Sequence, residues 1–398
     1  MFIYKAGVVG AGAMGAGIAQ VIAFSGLPVV IKDVNQEVVD KGIATVRKIF
    51  QGRVDKGKMT SSELDQKMKL VTGTTSYDDF KDCDIVIEAV FENMDVKKRI
   101  FQELEAVLPE CSIMATNTSA LSISELAASV KRSDKVVGIH FFNPAPVMKL
   151  IEVIPGLQTA PDTVDTAIEF AQGLRKMPVR VKECAGFLVN RLLMPYLNEA
   201  VHSLEDSQMG VEMMDQTMRE LGMPMGPFAL ADLLGLDVCS EVAEILYKSF
   251  GPRMEPSSIL RGLLSIGHKG VKSGNGFYQY GELENKSKAI IRMSWEGKLP
   301  GRSFIPARLL YQMINEAAYC LEENVASPGD IDLAMLAGAG MAKGPLHLAD
   351  EVGLDVVLER LEEFSREYGP RFWPAPLLRR MVAANYLGQK TKKGFFTY

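Results

Sequence analysis

The stretch "AGVVGAGAMGAGIAQVIAFSGLPVVIKDV", residues 6–34, decides the fold. "AGVV" reads as a short apolar strand and "AMGAGIAQVIAFS" as a helix of small residues. Between them Gly10, Gly12 and Gly15 stand in the spacing G-x-G-x-x-G. At such a turn the first glycine permits a tight bend and the second lets the backbone approach a pyrophosphate. The third lets the helix lie close on the sheet, and the helix N-terminus offers amide donors to phosphate oxygens. A second apolar strand, "LPVVIKDV", ends at Asp33, about 20 residues past the glycines. A carboxylate there accepts from both ribose hydroxyls and repels a 2′-phosphate, which favours NAD over NADP. Residues 6–31 carry no charge and are long enough to span a bilayer, but the glycines, Pro28 and the strand-turn-helix-strand parse exclude that.

Working outward, "CDIVIEAVF" (83–91), "SIMATN" (112–117) and "KVVGIHFF" (135–142) read as further strands, with helical patterns such as "NMDVKKRIFQELEAVL" between them. Strands alternating with helices predict an α/β fold with a doubly wound, mainly parallel sheet, whose ligands sit at the strand carboxyl ends. Glu92, Asn117, Ser119 and His140 fall at or just past such ends. Residues 36–70 break the alternation and read as an inserted helical hairpin, "EVVDKGIATVRKIFQGRVDKG" and "TSSELDQKMKL". Arg47, Lys48, Arg53, Lys56 and Lys58 cluster near its junction, either as a solvated charged face or as an arm for a phosphorylated substrate handle.

Within "HFFNPAPVMKLIEVI", residues 140–154, His140 precedes an Asn-Pro turn and Glu152 is the lone acid of an apolar run. A buried histidine with a local hydrogen bond and a solvent-facing carboxylate is the bland account. A general-base pair at a cleft is the sharper one, favoured by the dinucleotide domain and the strand-end placement. Ser119, in "TNTSALSISEL", also suits a helix N-cap. His202, His268 and His347 lack such context and read as structural.

From about residue 183 helices dominate, and the chain repeats itself. "GFLVNRLLMPYLNEAVHSLED" (186–206) matches "SFIPARLLYQMINEAAYCLEE" (303–323), and "PMGPFALADLLGLDV" (224–238) matches "AKGPLHLADEVGLDV" (342–356). "GVKSGNGFYQY" (270–280) matches "QKTKKGFFTY" (389–398). The division expected is 1–182 for a Rossmann-type domain, 183–281 for a first all-helical domain, 282–301 for a charged linker and 302–398 for the repeat. Asn190 in the first copy is Ala307 in the second, so the first copy is the one expected to touch the reaction.

Net charge is −5 over 398 residues, which argues against a nucleic-acid partner. Cys83, Cys111, Cys184, Cys239 and Cys320 are scattered, so neither a disulfide framework nor a metal site is expected. No signal peptide or C-terminal address is evident, and cytoplasm is the expected location.

These motifs, with "IVIEAVFEN" and "GFLVNRLLMPYLNEA", resemble the L-3-hydroxyacyl-CoA dehydrogenases over essentially the whole chain. The likeness is strongest to the dehydrogenase portion of the bacterial fatty-acid oxidation multienzyme α subunit, without the hydratase domain that precedes it there. The resemblance implies a catalytic pair of His140 and Glu152, with Ser119 and Asn190 at the substrate. It further implies NAD contacts from Gly10, Gly12, Gly15, Asp33, Glu92, Lys97 and Asn117, and CoA along the hairpin, with Arg53, Lys56 and Lys58 as candidates. It implies reversible oxidation of L-3-hydroxyacyl-CoA, in β-oxidation or related acyl-CoA metabolism. A short-chain 3-hydroxybutyryl-CoA dehydrogenase and a silent, crystallin-like NADH binder are the alternatives. A monomer or homodimer without membrane attachment, associating with hydratase or thiolase partners, completes the expectation.

Overall fold

One sheet holds β1 (Ala6–Val9), β2 (Val29–Lys32), β3 (Val71–Thr74), β4 (Ile85–Glu88), β5 (Ile113–Thr116), β6 (Val136–Phe141), β7 (Leu150–Pro155) and β8 (Met177–Arg180). In the computed structural model, which describes residues 2–207, 209–280 and 303–398, their order is β3-β2-β1-β4-β5-β6-β7-β8. Every neighbouring pair is parallel except β6 with β7. β1, β2, β4 and β5 are buried at every residue, which is why they read as unbroken apolar runs rather than alternating ones. The edge strands β3 and β8 are short and half exposed, so their sequences gave no strand signal.

Around the sheet lie α1 (Ala13–Ser25), α2 (Gln36–Asp55), α3 (Ser61–Met68), α4 (Met94–Val107), α5 (Ile123–Ala127) and α6 (Pro161–Gly173). Helices α2 and α3 are the inserted hairpin. Asn35 caps α2, and Thr60 with Glu63 forms a reciprocal capping box on α3. The chain divides into two compact units, Met1–Phe187 and Leu188–Tyr398. The division falls later than residue 182 because residues 183–187 are bonded into the first unit. Glu183 accepts from the Ser122 hydroxyl (2.6 Å) and the Ser124 amide (3.0 Å), and Phe187 lies against the His140 ring (5.9 Å between centroids).

The second unit keeps both helical copies together. The first copy is α7 (Val189–Asp206), α8 (Val211–Glu220), α9 (Pro227–Leu234), α10 (Leu236–Phe250) and α11 (Ser258–Ser265). The second is α12 (Pro306–Glu322), α13 (Pro328–Gly338), α14 (Pro345–Val352), α15 (Leu354–Tyr368) and α16 (Pro376–Ala383). Segment 282–301, read above as a linker, lies outside the described residues. Buried arginines cross between the copies: Arg191 of α7 pairs with Glu316 (2.7 Å) and Glu323 (2.7 Å), and Arg308 of α12 with Glu199 (2.8 Å) and Asp206 (2.9 Å). These residues occupy equivalent places in the two repeats, so the pairing has an internal two-fold character.

The copies also solve one local problem in different ways. Asp215 accepts from the Phe228 and Ala229 amides (2.9 and 3.0 Å) at the start of α9, and the Tyr278 hydroxyl donates to it (2.7 Å). Asp332 holds the start of α14 alike, but the residue matching Tyr278 is Phe396, which has no hydroxyl. There His347 supplies the donor, its Nδ1 lying 2.5 Å from the Asp332 carboxylate and its ring stacked on Phe396 at 3.8 Å. Removing either donor, by Tyr278→Phe or His347→Ala, is expected to lower stability by about 1–2 kcal/mol. Urea unfolding of each variant beside the wild type measures it.

Candidate active site

The antiparallel pairing of β6 and β7 sets His140 directly opposite Glu152. Directly opposed residues of an antiparallel pair project to the same face, and His140 Nδ1 lies 2.7 Å from Glu152 Oε2. Both are buried, at 5% and 0% exposure. A carboxylate beside Nδ1 keeps the neutral ring's proton there and leaves Nε2 as the acceptor. Phe142 packs against the imidazole (4.5 Å between centroids) with Phe187 further out, so the ring has an apolar surround.

The loop joining the two strands is held from outside. Lys176 donates to the carbonyls of Ala145 (2.6 Å) and Met148 (2.6 Å), and the loop rests on α1 where Gly17 has no side chain. A Cβ on Gly17 would stand 3.3 Å from Pro146 and 3.4 Å from Ala145. The helix that follows the glycine turn therefore also supports the loop between His140 and Glu152.

The three glycines differ in what surrounds them. Gly10 has φ +105°, and a Cβ there would stand 2.6 Å from the Ala89 carbonyl oxygen. A Cβ on Gly15 would lie 1.8 Å from the Gly10 carbonyl oxygen, so α1 packs on β1 only with glycine there. Around Gly12 nothing lies within 4 Å of such an atom. That open backbone at the head of α1 suits a pyrophosphate. Asp33 accepts from the Ala11 amide (2.7 Å) and its neighbour Val34 (2.7 Å), which fixes the carboxylate beside the same turn. The residues fit NAD: the open backbone at Gly12, in a turn shaped by Gly10 and Gly15, would take the phosphates, and Asp33 a ribose.

At the ends of β4 and β5 a polar cluster closes the edge. Glu92 accepts from the Thr118 hydroxyl (2.5 Å) and the Ser119 amide (2.8 Å), and Asn117 Oδ1 accepts from the Phe141 amide (2.8 Å). Ser119 is not a helix cap; Ser122 caps α5, leaving the partly exposed Ser119 hydroxyl without a protein partner among the described residues. Lys97 is 1% exposed, with its ammonium on Glu88 and on Glu92 (3.3 Å), so it is a second layer beneath the surface.

Two candidate groups belong to other elements. Asn190 belongs to the second unit, in the first turn of α7 and partly exposed. Arg53 lies eighteen residues past the cap Asn35, roughly 27 Å of helix, over Phe24 near the C-terminus of α1 (4.3 Å). That places Arg53, and the exposed Lys56 and Lys58 beyond it, toward the opposite edge of the sheet from His140. Sequence reasoning passed over Glu88, Thr116, Lys176 and Phe187. A signal for Glu88 existed, since it is the lone acid of "IVIEAV" as Glu152 is of "LIEVI".

Comparison with known proteins gives a consistent result. A family model described as 3-hydroxyacyl-CoA dehydrogenase, NAD binding domain, matches residues 5–184. A second, 3-hydroxyacyl-CoA dehydrogenase, C-terminal domain, matches twice, at 186–280 and 304–398. A fatty acid oxidation complex subunit alpha of Shewanella amazonensis is 38% identical over 96% of this chain, which spans 55% of that relative's length. The chain thus spans about half the length of the curated relatives it matches. Among solved structures, 3-hydroxybutyryl-CoA dehydrogenase from Escherichia coli aligns with TM-score 0.89 at 31% identity, over 96% of this chain and 99% of that one. (S)-3-hydroxybutyryl-CoA dehydrogenase from Ralstonia eutropha gives 0.69 at 42%, over 71% of this chain and 100% of that one.

Two outcomes are expected from this geometry. Gly12→Ala should melt with the wild type yet bind NADH more weakly, whereas Gly15→Ala should lose several degrees of Tm or fail to fold. Thermal melts beside NADH fluorescence titration distinguish the two. Separately, burial pushes the Lys176 ammonium down to about 8 from 10.5. Between those values the native chain binds fewer protons than the unfolded one, so this group's contribution to stability rises with pH across the window. The wild-type urea midpoint should therefore gain on that of Lys176→Met as pH is raised from about 8 to about 10.

Proposed function

This chain belongs to the 3-hydroxyacyl-CoA dehydrogenase family, and we propose that it interconverts L-3-hydroxyacyl-CoA and 3-oxoacyl-CoA, with His140 as general base and Glu152 as its orienting acid. It is an NAD-dependent oxidoreductase acting on a CH–OH group. The observation that carries the residue assignment is the buried contact of 2.7 Å between His140 and Glu152 at the carboxyl edge of the sheet that bears the glycine turn.

Bound NAD supplies the hydride acceptor, held by Gly10, Gly12, Gly15 and Asp33, with Glu92 and Asn117 further along the edge. The chain's own residues handle the proton. His140 Nε2 takes it from the substrate C3 hydroxyl during oxidation and returns it during reduction. Glu152 keeps the ring in the orientation and tautomer that present Nε2, and its charge stabilises the imidazolium as it forms. Phe142 and Phe187 keep water from the ring, which strengthens that charge interaction. The Ser119 hydroxyl is a donor for the substrate oxygen, fixed in place by the bond from its amide to Glu92. Asn190 enters the same chemistry on its motif alone, and Arg53, Lys56 and Lys58 remain proposals for the CoA phosphates.

The relatives named as fatty acid oxidation complex subunits support a role in β-oxidation, beside other members of such a complex. None of the described helices is long and apolar enough to cross a membrane. A second reading, a short-chain 3-hydroxybutyryl-CoA dehydrogenase, is favoured by the match to the Escherichia coli enzyme over nearly its whole length. Turnover across a series of acyl-CoA lengths separates the two.

His140→Gln is expected to fold and bind NADH while losing about 10²–10⁴-fold in kcat for acetoacetyl-CoA reduction. Near-normal turnover followed by NADH absorbance would remove His140 as the base.

A further inference from the structure

Glu88, at the end of β4, is 0% exposed, and Lys97 of α4 is 1% exposed. The carboxylate is fully engaged. Oε1 accepts from the Val90 amide (2.7 Å) and Lys97 Nζ (2.8 Å), and Oε2 accepts from the Thr116 hydroxyl (2.7 Å) and Lys97 Nζ (2.8 Å). A pair this deep is poor evidence of stability, because desolvating two charges offsets much of their attraction, and a well-packed apolar pair is often as stable. What the pair does supply is a fixed ammonium, and that ammonium faces outward onto Glu92 at 3.3 Å.

Glu92 in turn holds the turn that carries Ser119, through the Thr118 hydroxyl and the Ser119 amide. The same turn reaches the strand of His140, because Asn117 Oδ1 accepts from the Phe141 amide. Glu88 is also in register with Val9, the residue before Gly10. A buried acid beneath the glycine turn thus anchors, through one lysine, the two loops that flank the cofactor edge.

Resting on the NAD site proposed above, we infer that Glu88 is a positioning residue of the dehydrogenase: it fixes Lys97, and through Lys97 it sets Glu92 and the 117–119 turn. For this role Glu88 itself need not touch the cofactor. With Glu88 neutral, the ammonium keeps Glu92 as its remaining carboxylate, and Glu92 is drawn from the Ser119 amide toward the interior.

The test uses the full chain. Glu88→Gln, assayed well below its melting temperature, is expected to raise the NADH Kd about tenfold by fluorescence titration, and to lower kcat by up to about 10²-fold, the scale of a small misplacement at a reacting centre. The double variant Glu88→Gln/Lys97→Met removes the uncompensated buried ammonium, so its Tm recovers toward the wild-type value. Its NADH Kd stays raised, because Glu92 has lost its anchor. Wild-type Kd and kcat in folded Glu88→Gln overturn the inference, as does a double variant in which NADH affinity recovers along with Tm. Should Glu88→Gln fail to fold, Glu88→Asp, which keeps the charge but draws it back from Lys97, carries the test: a raised Kd supports positioning and an unchanged one overturns it. A wild-type chain that binds NADH but turns over no acyl-CoA defeats the substrate proposal, while the Kd comparison still decides the role of Glu88.

Discussion

The register of β6 against β7 is the constraint on which the site depends. Side chains alternate along a strand, so a slip of one residue would send His140 and Glu152 to opposite faces of the sheet. Nothing local to either residue prevents that slip. The register is held by the apolar residues between which they sit, Ile139 and Phe141 on one strand and Ile151 and Val153 on the other, all buried. It is held also by the joining loop, which Lys176 clamps and α1 supports. A polar pair at the centre of a proton transfer is thereby located by packing on either side of it.

The same logic recurs along the carboxyl edge. Asp33 is bonded to the glycine turn, Glu92 to the Ser119 turn, and Asn117 to the strand of His140. Each of these three groups is tied back to a backbone amide of a neighbouring segment. Preorganisation of this kind places donors and acceptors before a ligand arrives, so little reorganisation is left for the reaction. The buried Glu88–Lys97 pair extends it one layer inward.

The helical unit shows how a duplicated sequence diverges without losing its frame. Arg191 and Arg308 keep equivalent places and reach across to acids of the other copy, so each repeat supplies counter-charges for its twin. Where the first copy has Tyr278 and the second Phe396, His347 supplies the donor to Asp332 from a different position in the chain. The hydrogen bond is common to both copies while its source differs. A buried carboxylate short of a donor is costly, and the repeat accommodates that demand rather than a particular residue.

The amino-acid sequence alone determined the dinucleotide turn, the parallel sheet, the hairpin insertion and the helical duplication. All of these are local or periodic signals: glycine spacing, apolar runs, helical repeats and matching segments. It also singled out His140 and Glu152, because a lone polar residue in an apolar run stands out without any structure. Tertiary structure decided which groups meet. Glu88 and Lys97 are nine residues apart, Glu88 and Thr116 twenty-eight, and Arg191 and Glu316 one hundred and twenty-five. How far along the hairpin Arg53, Lys56 and Lys58 stand from His140 was set by helix length, which their spacing alone did not show. That Lys97 is buried and its ammonium set against Glu92 was likewise not legible from its letter in the chain. Burial and pairing between distant residues are set by how elements pack, and a charge in a sequence carries the same letter whether it faces water or the core.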